Sequence, residues 1–335
     1  QKKNIKLYSP FRNVYNSSSV SVSFNVCSWM IYYHLGVASY LLDTFTKDEL
    51  KTWKFAGSSC GSLVAFGLAH GVDFSAFRQF AQGMITYAHV DKIFGPTGRM
   101  TKIVEDGVRK FLAAGTIYDS DSDFEASSNE NVIAIIDVDD TTCNNSSSTL
   151  CHTTRNSLRS HPKLTSAEKL KDRLFVSVTI LKEFFEVENE IISDFGNDDE
   201  TLINILMSSC YIPVYYEKIR FINNSVALDG GLSNNQPLVD PHTIAVAPIN
   251  WGNNQQLQDV KKEEHNDNNK NVLPTDFNIK INANIHPPTS RQRYPARMSL
   301  FPGNKEDTDV LFRDGYRDAR SYFEKHFGID KKIED

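Results

Sequence analysis

The pentapeptide GSSCG at residues 57–61 is the feature that most constrains how this chain can fold. It fits the pattern G-x-S-x-G, in which a serine occupies a sharp turn between a strand and a helix. Gly57 and Gly61 bracket Ser59, residues 53–56 have strand character, and an apolar run of helical length follows from residue 63. In this context we predict that Ser59 is held on an elbow, with the positive end of the following helix directed at its hydroxyl.

The rest of the chain alternates strand-like and helix-like segments. Residues 20–26 alternate apolar and polar side chains, and residues 31–45 have helical length without proline. Further strands are predicted at 174–179, 226–228 and 243–247, and further helices at 199–209 and 309–327. This alternation predicts one α/β domain over residues 20–327, with flanking segments at 1–19 and 328–335.

Two polar segments interrupt this domain, at about residues 119–170 and 252–274. They are rich in Asp, Ser, Asn and Gln. Such segments cannot bury enough apolar surface to offset the chain entropy lost on folding. We therefore predict that both are surface insertions.

Composition narrows the class of protein. The 335 residues are 40% hydrophobic and carry a net charge of −6, which favours a folded core and argues against a nucleic-acid partner. The five cysteines contain no C-x-x-C pair, so we predict no structural metal and a reducing, cytoplasmic compartment. No run reaches the roughly 18 apolar residues expected of a membrane-spanning helix.

A hydroxyl nucleophile needs a base, and Asp229 is the best candidate in the sequence. It follows a short predicted strand and precedes Gly230 and Gly231, which allow the backbone to turn sharply and to approach another segment closely. A partly desolvated carboxylate can accept a hydroxyl proton directly, so a Ser59–Asp229 dyad suffices without histidine. The alternative is that both motifs are structural turns, since Asp and Gly are common turn residues.

Seven segments together resemble the patatin-like phospholipase family, in the animal branch that contains adipose triglyceride lipase and adiponutrin. They occur in the family's order and span most of residues 20–327. They are YHLGVASY at 33–40, GSSCG at 57–61, VSVT at 176–179, CYIPVY at 210–215, LDGGLSNNQP at 228–237, SLFP at 299–302 and DGYRD at 314–318.

The resemblance implies a three-layer α/β/α fold with a mostly parallel sheet and a nucleophile elbow. In that fold Ser59 matches the family nucleophile and Asp229 the dyad aspartate, with no cofactor and no metal. The resemblance further implies hydrolysis of acyl esters of neutral glycerolipids, such as triacylglycerol, at a lipid-droplet or membrane surface. It also raises the possibilities of acyl transfer between lipids and of a protein co-activator.

The chain departs from the family at the oxyanion loop before the first helix. The family carries G-x-G-x-x-G there, whereas this chain has VCSWMI at residues 26–31. Glycine in such a loop adopts positive φ, which the β-branched Val26 and Ile31 resist. Cys27 and Ser28 are the candidate oxyanion donors that remain. Three explanations of the missing glycines stay open. Catalysis is impaired, the loop keeps its shape with different residues, or the sequence contains an error at this point.

Three functions therefore stay open. The first is an active lipid acyl hydrolase with the Ser59–Asp229 dyad. The second is a catalytically impaired lipid-binding or lipid-droplet scaffold protein. The third is a conventional Ser–Asp–His hydrolase, which leaves the two glycines after Asp229 unexplained. The histidines available to it after the aspartate are His242, His265, His286 and His326.

Overall fold

The computed structural model describes residues 20–90, 96–118, 164–248, 280–282, 294 and 297–327. Within these residues one mixed sheet of eight strands forms the centre of the domain. The strands are β1 (Ser21–Phe24), β2 (Lys54–Ser58), β3 (Leu174–Leu181), β4 (Val187–Ile192), β5 (Arg220–Ile222), β6 (Ser225–Asp229), β7 (Ile244–Ala247) and β8 (Lys280–Asn282). All five strands predicted from the sequence fall within this sheet.

The sheet is mostly parallel. Its pairing order is β5-β6-β3-β2-β1-β7-β8. Strand β3 pairs with β2 and β6 along one side and with β4 along the opposite side. Strands β8, β7, β1, β2 and β3 pair in parallel, whereas β4 and β6 pair antiparallel with β3 and β5 pairs antiparallel with β6. Because the carboxyl ends of parallel strands meet at one edge, β2 delivers Ser59 to that edge.

Helices connect and cover these strands. In the described part of the chain they are α1 (Ile31–Thr44), α2 (Lys47–Thr52), α3 (Cys60–His70), α4 (Phe74–Val90), α5 (Met100–Ala113), α6 (Ser166–Leu170), α7 (Asp199–Ser209), α8 (Arg297–Leu300) and α9 (Lys305–Phe327). Helix α7 begins where the sequence predicts, because the Asp198 side chain accepts hydrogen bonds from the N–H groups of Glu200 and Thr201. Helix α3 packs on β1, β2 and β3, and α7 packs on β3, β5 and β6.

Residues 164–170 fall in the first predicted insertion but pack onto the domain. Thr165 and Glu168 form a capping box at the start of α6: the Glu168 N–H donates to the Thr165 hydroxyl, and the Thr165 N–H donates to the Glu168 carboxylate. Ala167 and Leu170 are buried. Residues 119–163 and the whole second insertion lie outside the described residues.

Two glycines allow α1 and α9 to cross with their backbones in contact. A Cβ atom at Gly36 would lie 2.1 Å from the carbonyl oxygen of Phe312, and one at Gly315 would lie 2.0 Å from the carbonyl oxygen of Tyr33. The Tyr33 hydroxyl also donates to the buried carboxylate of Asp318, at 2.9 Å. The last helix is therefore fixed to the first by contacts that tolerate no side chain at either glycine.

Replacement of Gly315 by alanine is expected to lower the free energy of unfolding by about 3 kcal/mol, because the two helices must separate to admit the new methyl group. Arg313→Ala, at an exposed position of the same helix, should change it by less than about 0.5 kcal/mol. Urea denaturation followed by circular dichroism measures both. Equal stability of Gly315→Ala and wild type would contradict the close helix crossing.

The register of β3 brings the ends of β2 and β6 together. Ser58, at the end of β2, pairs with Ser177, and Asp229, at the end of β6, pairs with the next β3 residue, Val178. Strand β4 pairs with both of these β3 residues from the opposite side. Strands β2 and β6 therefore lie end to end along the same side of β3, and Ser59 comes to lie beside Asp229.

Candidate active site

Ser59 occupies the predicted strand–turn–helix elbow, in a conformation that non-glycine residues rarely adopt. Its φ of 55° and ψ of −134° place it outside the common regions of backbone space. A Cβ atom at Gly57 would lie 2.4 Å from the backbone of Gly61, and one at Gly61 would lie 2.3 Å from the carbonyl oxygen of Phe24. The two glycines of the motif are required because helix and strand approach each other this closely.

A serine from a distant helix holds the strained turn in place. The Ser59 N–H donates to the hydroxyl of Ser209 at 2.9 Å, and that hydroxyl donates to the carbonyl oxygen of Ser177 at 2.8 Å. Ser209 ends α7 and is fully buried. No sequence motif marks Ser209, and its contribution follows only from the packing of α7 against β3.

Removal of this hydroxyl in Ser209→Ala is expected to lower acyl-ester hydrolysis by about 10- to 100-fold, because the buried Ser59 N–H loses its acceptor. The neighbouring Ser208 is also buried, but its hydroxyl only donates to Asn204 within the same helix, at 2.7 Å. Ser208→Ala is therefore the matched control and should lower activity less than about threefold. Equal rates for the two variants would contradict the positioning role of Ser209.

Asp229 presents a buried carboxylate to Ser59. Its Oδ1 atom accepts the Gly231 N–H at 2.8 Å, and its Oδ2 atom has no hydrogen-bond partner among the described residues. Burial raises the pKa of Asp229 from 3.8 to about 6, while the nearby Ser59 hydroxyl and the Gly231 N–H oppose part of that rise. The Ser59 hydroxyl forms no hydrogen bond of standard geometry to Oδ2, so this oxygen is free to accept a proton.

The two glycines after Asp229 are sterically required. A Cβ atom at Gly230 would lie 2.0 Å from the carbonyl oxygen of Ser177. One at Gly231 would lie 3.0 Å from Asp229 Oδ1 and 3.0 Å from the Val26 side chain. The sequence Asp229-Gly230-Gly231 therefore fits against both the β3 backbone and the loop at 26–31.

The loop at 26–31 adopts its turn without strain at its β-branched residues. Ser28 carries the positive φ, at 48°, whereas Val26 has a negative φ and Ile31 has a φ of −49°. Val26 and Ile31 therefore do not meet the conflict with positive φ, because the left-handed residue is the serine at the start of a 3-10 turn, Ser28–Met30. Within the described residues the N–H groups of Cys27 and Ser28 have no acceptor.

Cys60 connects this loop to the elbow. Its thiol donates to the carbonyl oxygen of Ser28 at 3.1 Å and lies 3.7 Å from the sulfur of Cys27. Burial raises the pKa of the Cys27 thiol, which keeps this sulfur uncharged beside the site. The Cys60 N–H begins α3 and has no acceptor in the described part of the chain. The sequence interpretation missed this amide, although the residue after a G-x-S-x-G nucleophile commonly supplies an oxyanion donor.

The contacts of three described histidines are typical of residues that stabilise the fold. His34 is fully buried in α1, its Nε2 donates to the carbonyl oxygen of Asn25 at 3.0 Å, and burial lowers its pKa to about 4. His326 stacks on Tyr322 in α9, with ring centroids 4.6 Å apart. His242 lies in a turn where its N–H donates to Asp240. The other two candidates, His265 and His286, lie outside the described residues.

The described residues contain neither a candidate metal site nor a candidate membrane-spanning helix. Among them no cluster of three or more His, Cys, Asp or Glu side chains is arranged to hold a metal ion. The helices described here also include none that is both long enough and apolar enough to cross a membrane.

A family model described as patatin-like phospholipase matches residues 28–241, more than half of the chain. The chain belongs to the patatin-like phospholipase family. The match includes the elbow, Ser59, Asp229 and the two glycines that follow it. It confirms the family predicted from the seven segments and, with the observed sheet, the predicted patatin-like α/β fold with a mostly parallel sheet. Membership supports hydrolysis or transfer of lipid acyl groups.

Two curated relatives share about a quarter of their residues with this chain over the matched segments. Human patatin-like phospholipase domain-containing protein 4 is 25% identical over 309 residues, covering 91% of this chain and 97% of the relative. Human 1-acylglycerol-3-phosphate O-acyltransferase PNPLA3 is 23% identical over 239 residues, covering 68% of this chain and 37% of that relative. Among solved structures, VipD from Legionella pneumophila is 12% identical with a TM-score of 0.45, covering 92% of this chain and 67% of that one.

Proposed function

We propose that this protein is a serine acyl hydrolase that cleaves esters of neutral glycerolipids through a Ser59–Asp229 dyad. One observation carries the proposal: a buried carboxylate with a free oxygen lies beside a serine that is held on a strained elbow. The proposal that the substrate is a lipid ester rests on family membership. The choice of triacylglycerol rests on the resemblance to the branch that contains adipose triglyceride lipase. We further propose that the protein works in the cytoplasm at a lipid-droplet or membrane surface.

The proposed reaction has two stages. Ser59 Oγ attacks the ester carbonyl while its proton passes to Asp229 Oδ2, and the carbonyl oxygen becomes an oxyanion. Collapse of this intermediate breaks the ester bond, and Asp229 returns the proton to the departing glyceride alkoxide. Water then attacks the acyl-serine, giving up a proton to Asp229, and the fatty acid leaves as Ser59 recovers its hydrogen.

The oxyanion is proposed to bind the free amides around Ser59. The Cys60 N–H lies at the positive end of α3, and the N–H groups of Cys27 and Ser28 have no acceptor among the described residues. The loss of one such donor typically lowers the rate by about 10²- to 10³-fold. The loop residues thus replace the glycines of the family pattern by keeping their amides unpaired.

A glycerolipid hydroxyl can replace water in the second stage, which makes the same acyl-serine an acyl donor. One relative is named an acyltransferase, and that name favours testing this branch. Both products are followed in the experiment: free fatty acid for hydrolysis, and a newly acylated lipid for transfer.

The test is the release of fatty acid from a triacylglycerol emulsion by wild type, Ser59→Ala and Ser75→Ala. Ser75 is exposed on α4 and serves as the matched serine control. We expect Ser75→Ala to match wild type and Ser59→Ala to retain no activity above background. Equal release by wild type and Ser59→Ala would refute the proposal and favour the second candidate, an impaired lipid-binding or droplet scaffold protein, for which the altered loop at 26–31 is the supporting observation.

Activity is expected to depend on pH through Asp229. The base must be ionised, and its pKa is raised to about 6, so the rate should fall about tenfold per pH unit below that value and level off above it. A soluble acyl ester provides the profile, and assay at pH 8 after brief incubation at pH 5 separates titration from unfolding. A midpoint near 4, the value of an exposed aspartate, would contradict the buried base.

A further inference from the structure

A hairpin extension projects beyond the edge of the sheet that carries the candidate site. Strand β2 ends opposite Ser177, but β3 continues to Leu181 and is flanked there by β4 and β6, with β5 outside β6. We define the hairpin extension as residues 178–190 and 220–229. Since Ser59 follows β2 at this same edge, the tip of the extension and the nucleophile lie at the same end of the sheet.

The tip of the extension is a tight turn, Glu183–Glu186, whose two central residues are phenylalanines. The Glu186 N–H donates to the Glu183 carbonyl oxygen at 3.3 Å, and Phe184 and Phe185 have φ values of 59° and 64°. Positive φ at both central positions defines a type I′ turn, for which Asn-Gly is the favoured pair. Phe184 is 92% exposed and Phe185 is 88% exposed. Neither the turn geometry nor the core explains two aromatic residues here.

One face of the extension continues this apolar surface. Leu181 pairs with Val187, and Phe221 pairs with Val226, so the side chains within each pair share a face. Val187 and Phe221 are each 55% exposed. Leu232, which follows the glycines after Asp229, is also exposed. Exposed apolar side chains therefore lie at the tip, on this face beside it, and next to Asp229.

A second group of exposed apolar residues flanks the site from the loop side. Helix α8 contacts the 3-10 turn Ser28–Met30, and Leu300 and Phe301 at its end are both exposed. The Tyr215 hydroxyl donates to the Leu300 carbonyl oxygen at 2.8 Å, which fixes this end of the helix. Exposed apolar side chains therefore border the site next to Asp229 and next to the oxyanion loop.

The charge of the hairpin selects among apolar partners. Residues 182–190 contain one cation, Lys182, and four anions, Glu183, Glu186, Glu188 and Glu190, so the segment carries a net charge of −3. Lys182 is already paired with Glu188 at 3.1 Å. Like charges repel across a surface, so anionic phospholipid or nucleic acid is disfavoured, whereas an electrically neutral apolar surface is not.

We propose that the hairpin extension docks on an electrically neutral lipid surface, with Phe184 and Phe185 entering the acyl-chain region. This inference rests on the proposed function, because the docked surface is the source of the ester that reaches Ser59. Docking at the tip brings the carboxyl edge of the sheet to the lipid, and the apolar borders of the site face the emerging acyl chain.

The test uses a variant that fits the turn better than wild type. Phe184→Asn/Phe185→Gly supplies the pair that a type I′ turn prefers, so its melting temperature should equal or exceed that of wild type. Sedimentation with phosphatidylcholine vesicles should show binding weaker by about 100-fold, since two large apolar side chains are lost from the contact. Leu164→Ser, at an exposed apolar position before the amino end of β3, should bind like wild type.

The outcomes separate docking from catalysis. Reaction of Ser59 with a soluble fluorophosphonate should be equal in wild type and the double variant, while emulsion hydrolysis falls with lipid binding. Unchanged vesicle binding by the double variant would overturn the docking inference and leave the dyad intact. Absence of binding by wild type, or tighter wild-type binding to vesicles with added phosphatidylglycerol, would also overturn it. Lost binding together with an unreactive Ser59 in wild type would support docking and refute the hydrolase.

Discussion

Asp229→Asn should lower hydrolysis of a soluble acyl ester by about 10³- to 10⁴-fold while leaving the fold intact. In wild type the Gly231 N–H donates to Asp229 Oδ1 at 2.8 Å. The asparagine side chain keeps an oxygen for this hydrogen bond, but it cannot accept the Ser59 proton at pH 8. Asp106→Asn removes a charge from an exposed position of α5 and should leave the rate unchanged. Comparison of the two variants in kcat/KM isolates the loss of the base from the loss of a charge.

The same substitution should stabilise the protein at neutral pH. The folded state raises the pKa of Asp229 from 3.8 to about 6, so folding is favoured by the protonated carboxyl. That contribution is fully present below pH 4 and is lost as the pH rises through 6, which amounts to about 3 kcal/mol. Asp229→Asn removes this dependence, and its free energy of unfolding at pH 8 should exceed that of wild type. Equal stability of both proteins at pH 8 would contradict the raised pKa.

Gly61→Ala should destabilise the protein by about 3 kcal/mol or more, and it should abolish activity in the fraction that still folds. The added methyl would lie 2.3 Å from the Phe24 carbonyl oxygen and 2.5 Å from that of Asn25. Both contacts are with backbone atoms of the segment that leads into the oxyanion loop, so neither can be relieved by a rotamer change. The elbow helix must then move away from β1.

Gly67→Ala is the matched control in the same helix. Its added methyl would lie 3.1 Å from ring atoms of Phe74 and Phe77, which are side chains that can shift. Alanine also favours helix over glycine by about 1 kcal/mol, so a net change within about 1 kcal/mol is expected. Denaturant titration of both variants gives the difference. A Gly61→Ala protein as stable as Gly67→Ala would contradict the close approach of helix and strand.

The elbow could be predicted from sequence because its determinants are local. Strand character, two glycines spaced around Ser59 and an apolar helix all fall within about twenty residues, and the structure places β2 and α3 there. The capped start of α7 at Asp198 is predictable for the same reason. Local spacing and capping chemistry are enough where the contacts are close in sequence.

Residue chemistry makes Asp229 a candidate base, but only the family resemblance implied that it meets Ser59. Their meeting depends on Ser58 and Asp229 pairing with consecutive β3 residues, and strand register between distant segments leaves no mark on local patterns. Ser209 was missed for this reason as well. The conformation of the oxyanion loop could not be predicted either, because nothing in the local sequence shows that the 3-10 turn places the positive φ on Ser28 rather than on a β-branched neighbour.

The most direct measurement of the central claim is covalent labelling of Ser59 by a fluorophosphonate, followed by intact mass and peptide mapping. A serine that is activated by Asp229 and faces unpaired amides should form a single adduct on Ser59. Labelling should slow at least about 100-fold in Asp229→Asn and be absent in Ser59→Ala. A wild-type protein that forms no adduct at pH 8, or that is labelled as fast without the Asp229 carboxylate as with it, would contradict the dyad.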